Sequence, residues 1–255
     1  VDQSVTARLR ALTDLAPLHQ PKSLAALEAV IAALPGVPAV ACFDTAFHAG
    51  LPPEATTYAL PPEWRRRWNL RRYGFHGLSH AWAARRAAEL TGRSASGFRV
   101  VTAHLGAGAS LAAVRDGCSV DTTMGFTPLE GLVMATRSGS VDPGLVLWLQ
   151  EHVGTPPEEL AATLEHRSGL LGLAGTADMR DVLIAAGERA DDGADSSGPT
   201  TTVPPADARL ALGVYVHRLR GAVAAMAAAL GGLDALVFTG GVGENAPEVR
   251  RLVAD

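Results

Sequence analysis

Residues 98–122 read FRVVTAHLGAGASLAAVRDGCSVDT, and the reading of this stretch decides the fold. FRVVTAHL is a short apolar run of the kind that forms a buried strand. It breaks at GAGAS and resumes as SLAAVR, ahead of Asp116 and Gly117. Asp-Gly between two strand-like runs is the strongest short-range hairpin signal. The stretch therefore predicts strand, glycine turn, strand, Asp-Gly turn, strand.

Helical patterns flank this unit. Ser79 is expected to open a helix, HAWAARRAAEL, that Gly92 closes. Asp142 followed by Pro143 reads as an N-cap with proline at the first helical position, leading GLVLWLQEH. Thr155 to Glu158 reads as a capping box for ELAATLEH. Residues 207–230 form a long helix ended by Gly231 and Gly232. ALVFT then reads as a buried strand running into a glycine loop, GGVGEN, and a helix start. Upstream, Ser23 caps LAALEAVIAAL, which Pro35 and Gly36 stop. VPAVACFD reads as a buried strand ending at Asp44. Residues 46–69, with four prolines, read as a loop crossing between structural units. Residues 187–206, rich in Asp, Gly, Ser, Thr and Pro, read as a flexible surface loop. Strands and helices in mixed order with an early hairpin predict an α/β fold, a mixed sheet with flanking helices.

The chain has 255 residues, 47% of them hydrophobic, enough for real cores. A formal net charge of -4 argues against a nucleic-acid binder, which would show a basic face. No apolar run is long enough to span a bilayer, and the opening residues carry no signal or transit pattern. The two cysteines, Cys42 and Cys118, form no C-x-x-C pair and read as small buried strand residues in a cytoplasmic, reducing setting.

Two glycine-rich turns follow apolar strands, HLGAGAS at residues 104–110 and GGVGEN at 240–245. Glycines there let the backbone approach a phosphate or nucleoside with amides pointing at it. A Walker loop needs a lysine after its last glycine, and Lys22 is the only lysine in the chain. The dinucleotide and protein-kinase patterns are absent as well. A hairpin whose turn holds phosphates, plus a second glycine loop after a later strand, is similar to the actin-like ATPase arrangement. RRYGFHGLSH carries His76, and MATRSGSVDP carries Arg137 in a Ser/Gly-rich loop. That pair of side chains suits an anion with charge spread over several oxygens. A metal pair of His76 and His80 is disfavoured by Gly77 between them and by the lack of an adjacent Glu.

RRYGFHGLSH, HLGAGAS, DTTMGFTPLEGLVMATRSGSVDPG and VFTGGVGEN, with ACFDTAFHAGLPP and DLAPLHQP upstream, resemble the consecutive signatures of the acetate kinase family across essentially the whole chain. The resemblance implies the actin-like ATPase fold (acetate and sugar kinase/Hsp70/actin). It implies a remnant of an N-terminal domain over residues 1–44 and a nucleotide-binding C-terminal domain over 45–255, with the chain short at both ends. It also implies reversible phosphoryl transfer from ATP to acetate, giving acetyl phosphate and ADP, with Mg²⁺. Propionate kinase, or a catalytically impaired nucleotide-binding fragment, is the alternative. By similarity, Asp44, His76 and Arg137 are catalytic. His104, Leu105, Gly106, Ala107 and Gly108 face the nucleotide phosphates. Asp178, Met179 and Arg180 match the adenosine side. Gly241, Val242, Gly243, Glu244 and Asn245 match the second nucleotide loop. Leu18, Phe75 and Pro128 match the pocket for the substrate's methyl group. The family's metal and carboxylate ligands are expected outside this chain, which alone is expected to be inactive. A homodimer through the C-terminal domain is implied too, with neither nucleic acid nor membrane as partner. Three departures stand out: Ala107 where the family has Asn, Ala109 where it has a polar residue, and Met179 where it has Phe. Because a carboxylate acceptor is already ionised, catalysis is expected to come from positioning and charge neutralisation. Asp44 is expected to orient Arg137 or a hydrated Mg²⁺.

Overall fold

The computed structural model describes residues 1–13, 20–190 and 202–255. Leu18 and most of the expected 187–206 loop lie outside them. The chain forms two compact units, Val1–Phe43 and Asp44–Asp255.

The first unit holds α1 (Gln3–Arg10) and α2 (Gln20–Ala33). Asp2 caps α1 by accepting from Val5 N at 2.8 Å, and an Arg10–Glu28 ion pair joins the helices. Ser23 lies inside α2, because the helix starts earlier, with Pro21 in its first turn, where a missing amide is harmless. The expected strand before Asp44 does not form. Residues 37–43 are irregular, with Val40 82% exposed. A strand needs a paired neighbour, and no described strand runs beside this one. Cys42 is accordingly exposed rather than buried.

The second unit is built on a mixed sheet of β1 (Arg99–Leu105), β2 (Ala109–Arg115), β3 (Cys118–Thr122) and β4 (Ala235–Thr239), in the order β3-β2-β1-β4. β1 runs antiparallel to β2 and parallel to β4. Leu105 pairs with Ala109, so Gly106, Ala107 and Gly108 form the turn, closed by Gly106 N donating to Gly108 O at 2.9 Å. Asp116 (φ 56°) and Gly117 (φ 75°) are both left-handed, as a two-residue hairpin turn with the sheet's twist requires. Cys118, at the start of β3, is exposed.

Residues 46–69 are not a plain loop. They contain a 3₁₀ turn (Ala46–His48), α3 (Pro53–Thr56) and α4 (Pro62–Trp68), the helices opening on proline. α5 (Gly77–Thr91) ends at Gly92 with φ 64°. α6 (Pro143–Trp148) is capped by Asp142, whose side chain accepts from Gly144 N at 2.9 Å, and runs on through one wide turn, Leu149–Val153. α7 (Pro157–His166) starts after Pro156, and the Thr155 capping box does not form. α8 (Gly169–Ala174), α9 (Met179–Ala186) and α10 (Pro205–Leu230) follow. GGVGEN is not a loop: it folds as α11 (Gly240–Asn245), ahead of α12 (Pro247–Ala254).

Strand period places the two faces. Val101, Ala103 and Leu105 of β1, with Ala109, Leu111 and Ala113 of β2, pack on α8, α9, α10 and α12. The opposite face, Val100, Ala112 and Val114, packs on Ala84, Ala87 and Ala88 of α5. The small alanine stripe lets α5 lie close to the sheet. β4, an edge strand, is half-buried along its length rather than buried as expected. Toward the glycine turn the α5 face becomes polar, with Thr102 and His104 on β1 and Ser110 on β2. Among the described residues no helix is long and apolar enough to cross a membrane.

Candidate active site

His76 precedes α5 with φ 57° and ψ 25°, a left-handed conformation uncommon for a side-chain-bearing residue. Asp44 holds it there: its Oδ2 accepts from His76 N at 2.6 Å, and its carbonyl accepts from Gly77 N at 2.8 Å. A Cβ on Gly77 would lie 2.3 Å from that carbonyl, so only glycine allows the approach. No hydrogen bond or ion pair joins Asp44 to Arg137 in the structure. Asp44 holds the backbone that aims His76.

Four histidines gather where α5 meets the sheet. His76 Nδ1 lies 2.9 Å from Ser110 Oγ. His80 bonds Ser110 Oγ through Nε2 and Thr102 Oγ1 through Nδ1, both at 2.7 Å. His104 Nδ1 meets Ser79 Oγ at 2.9 Å and Thr239 Oγ1 at 3.2 Å, and its ring centroid is 4.4 Å from that of His76. Ser79 is thus a partner of His104, not the cap of α5. His48 bonds Ser119 Oγ and the carbonyl of Phe75. Both nitrogens of His80 are taken by hydroxyls. Burial pushes all four imidazoles below their ordinary range. His76 falls to about 4, burial leading and His104 adding to it, while Asp44 opposes the shift. All four are neutral at neutral pH.

Arg137 reaches the same place from a loop tied on two sides. Ala135 N donates to Ala107 O at 3.2 Å, linking this loop to the glycine turn. Ser168 N donates to Thr136 O and Leu170 N to Met134 O, each at 2.9 Å, linking it to α8. Gly169, at φ 63°, permits the second contact, since a Cβ there would lie 2.2 Å from Met134 O. Arg137 Nη1 donates to Pro128 O at 3.3 Å. Burial lowers the guanidinium's pKa and Glu165 opposes that, but an arginine stays charged. The two side chains converge over Gly108: a Cβ there would lie 3.3 Å from Arg137 Nη1 and 3.4 Å from His76 Nε2.

Beside them a cleft of about 320 Å³ brings three distant segments together, Gly106 and Ala107, Asp178 and Met179, and Val242. Leu170 and Tyr215 also line it. Met179 is buried and forms part of its wall, while Asp178 and Arg180 are exposed, the Asp178 carboxylate accepting from Arg180 N at 2.8 Å. Among the described residues the Tyr215 hydroxyl is the one buried side-chain polar atom without a hydrogen-bond partner.

Other expected site residues stand elsewhere. The Leu105 side chain is in the core, and the His104 ring is turned to Ser79 and Thr239. Phe75 is half-buried against the core. Gly241 and Asn245 bond each other within α11, and Gly243 is buried there, while Glu244 is exposed and its charge is felt by His104. Gly240, at φ 78°, lets α11 begin against β1, since a Cβ would lie 2.6 Å from Leu105 O. Ser79, Thr102, Ser110 and Tyr215 were missed from sequence. The alternation 102, 104 along β1, continued across the turn at 110, was the available signal.

The sheet, the glycine hairpin and the helical turn after β4 have the architecture of the actin-like ATPase fold. The structure superposes on an acetate kinase from Porphyromonas gingivalis with a TM-score of 0.86 at 39% identity, covering 99% of this chain and 60% of that one. It superposes on a propionate kinase from Francisella tularensis with a TM-score of 0.88 at 38% identity, covering 99% and 62%. In sequence it is 46% identical over 256 residues to the acetate kinase of Pseudothermotoga lettingae, across 100% of this chain and 60% of the relative. It is 50% identical over 251 residues to that of Clavibacter michiganensis, across 98% and 60%. Residues 1–255 match the description of the acetokinase family, and the chain belongs to that family. It spans about 60% of the length of the curated relatives it matches.

Proposed function

We propose that this chain carries the phosphoryl-stabilising part of a kinase that moves the terminal phosphoryl of ATP reversibly to acetate, giving acetyl phosphate and ADP. The observation that carries the reading is the convergence of His76 and Arg137 on Gly108, beside a cleft that joins the glycine turn to Asp178, Met179 and Val242. The acceptor carboxylate is ionised at neutral pH, so no base is needed. Catalysis rests on in-line positioning and on donors aimed at the charge of the transferred group. Arg137 supplies a full charge and His76 a neutral N–H donor. The cleft's apolar walls, Met179, Leu170 and Val242, suit a flat base. Leu18, Phe75 and Pro128 belong to the acetate side of the same reading.

Mg²⁺ binds hard oxygens and keeps much of its water, so it arrives on nucleotide phosphates and needs few protein ligands. Asp44, whose field reaches His48, His76 and His104, is the carboxylate here suited to a metal-bound water. When bound, the ion supplies charge neutralisation on the phosphates.

Likeness to a propionate kinase supports a second reading with propionate as acceptor. One methylene in an apolar pocket is worth only about 1–3 kcal/mol. A hydroxamate assay with acetate and propionate, run on this chain and on the full-length gene product, tests both. Formation of acyl hydroxamate by the full-length protein is expected, and its absence with both acids would overturn the reading. Sedimentation of the same sample tests the homodimer, a further part of this reading.

A further inference from the structure

We propose that Ser110 is a positioning residue: Thr102, His80 and Ser110 form a one-way chain of hydrogen bonds that presents an Nε2–H of His76 to the group held beside Arg137. The argument counts hydrogens. A hydroxyl has one to give, and a neutral imidazole has one N–H and one lone pair. The three links are Thr102 to His80 at 2.7 Å, His80 to Ser110 at 2.7 Å and Ser110 to His76 at 2.9 Å. With both rings neutral, Ser110 could also accept from both rings at once, but that would leave its fully buried O–H with no acceptor among the described residues, so the donors point the same way along the chain. In one direction Thr102 donates to His80 Nδ1, His80 Nε2–H donates to Ser110, and Ser110 donates to His76 Nδ1. The proton of His76 is then on Nε2, the atom that faces Gly108 and Arg137.

In the reverse direction His76 carries its proton on Nδ1 and turns a bare lone pair toward any anion beside Arg137. The Thr102 hydroxyl is then left with Ala112 O at 3.4 Å, at the far limit of a useful bond. The first direction uses only links of 2.7–2.9 Å. His48 supplies a precedent in the same unit. Its Nε2 faces the Phe75 carbonyl, which can only accept, so Ser119 must donate to its Nδ1. The deep burial of His80 disfavours its doubly protonated form, which would release the constraint. His104 stands outside the chain, its Nδ1 held by Ser79 and Thr239.

The test is a long-range ¹H–¹⁵N correlation spectrum of the ¹⁵N-histidine-labelled chain at neutral pH, which reads tautomers without any assay of activity. His76 and His80 are both expected as Nε2–H forms. Ser110→Ala should turn His76 into a mixture of tautomers, and Ser110→Thr, which keeps the hydroxyl, should restore the wild-type pattern. A wild-type His76 protonated on Nδ1 would overturn the proposal. If Ser110→Ala does not fold, Thr102→Val removes the chain's first donor, and an unchanged His80 and His76 pattern there would overturn it equally. A second arm rests on the proposed phosphoryl transfer. In the full-length enzyme Ser110→Ala should lower kcat about tenfold to a hundredfold, the size typical of losing a group that orients a reacting one. The KM values should barely move, and a change in KM alone would contradict the positioning role. A wild type with the expected tautomers but no transfer would remove the functional reading and leave the chain of bonds standing.

Discussion

Gly108 is where the site's two donors can be separated from its fold. Because a Cβ there would press at 3.3 Å on both Arg137 Nη1 and the His76 ring, Gly108→Ala should displace them by tenths of an ångström and leave the core untouched. Misplacement by about 1 Å costs about a hundredfold in rate, so for a shift of tenths of an ångström a loss of several-fold, up to about tenfold, in kcat is expected in the full-length enzyme. An unchanged thermal midpoint would show that the effect is local, and unchanged kcat would remove Gly108 from the site. His76 and Arg137 were legible in sequence because each sits in a specific block, RRYGFHG and MATRSGS. The partner of Asp44 was not. Its contact is to a backbone amide, and that amide is presented only because His76 adopts a positive φ. Ser110 and Thr102 showed in sequence only as polar positions in the strand alternation: a hydroxyl in a strand carries no sign of which imidazole the neighbouring helix will bring to it.

Among the elements, the parallel pairing of β1 and β4 is pinned at one end by Asp234. Its carboxylate accepts from the backbone and guanidinium of Arg99 and also pairs with Arg93. These contacts hold the carboxyl far below its usual range. A carboxyl so depressed stabilises the folded state above the unfolded pKa, near 3.8, and the stabilisation is lost as pH falls through the folded value. Asp234→Asn should therefore lower the urea midpoint by a similar amount across neutral and mildly acidic pH. The gap to wild type should close only below about pH 4, the ordinary carboxyl range. A gap that already closes near pH 6 would mean that another group carries the effect. The hairpin at Asp116 and Gly117 was legible because both turn positions demand left-handed backbone, which few residue pairs supply. The strand expected before Asp44 was misread because apolar composition says nothing about whether a partner strand exists. GGVGEN was misread as a loop because glycine lowers helix propensity, yet Gly240 is needed only for the close start against Leu105, and the turn after it closes as α11.

At the scale of the molecule, the four clustered histidines, His48 and His80 buried and His76 and His104 half-buried, make stability depend on pH in a different window. Each has its pKa lowered, so the unfolded chain binds more protons than the folded one below about 6.5. Their contribution is complete above that value and declines as pH falls, for His76 down to about 4. A urea midpoint at pH 5 clearly below that at pH 7 is expected, and equal midpoints would show that the cluster does not resist protonation. The α/β class, the mixed sheet and the family were legible across the whole length, because the motifs keep their order and spacing. How His48, His76, His80 and His104 meet was not, since their approach depends on α5 lying close over the sheet on its alanine stripe. The two thiols have a practical use. Cys42 lies in Val1–Phe43 and Cys118 in Asp44–Asp255, both exposed, and Cys118 is in the hairpin bend at the far end of β2 from the glycine turn. This chain thus carries one exposed attachment point for a fluorophore in each unit. A dye on either thiol can report on the surroundings of its own unit without any engineered residue.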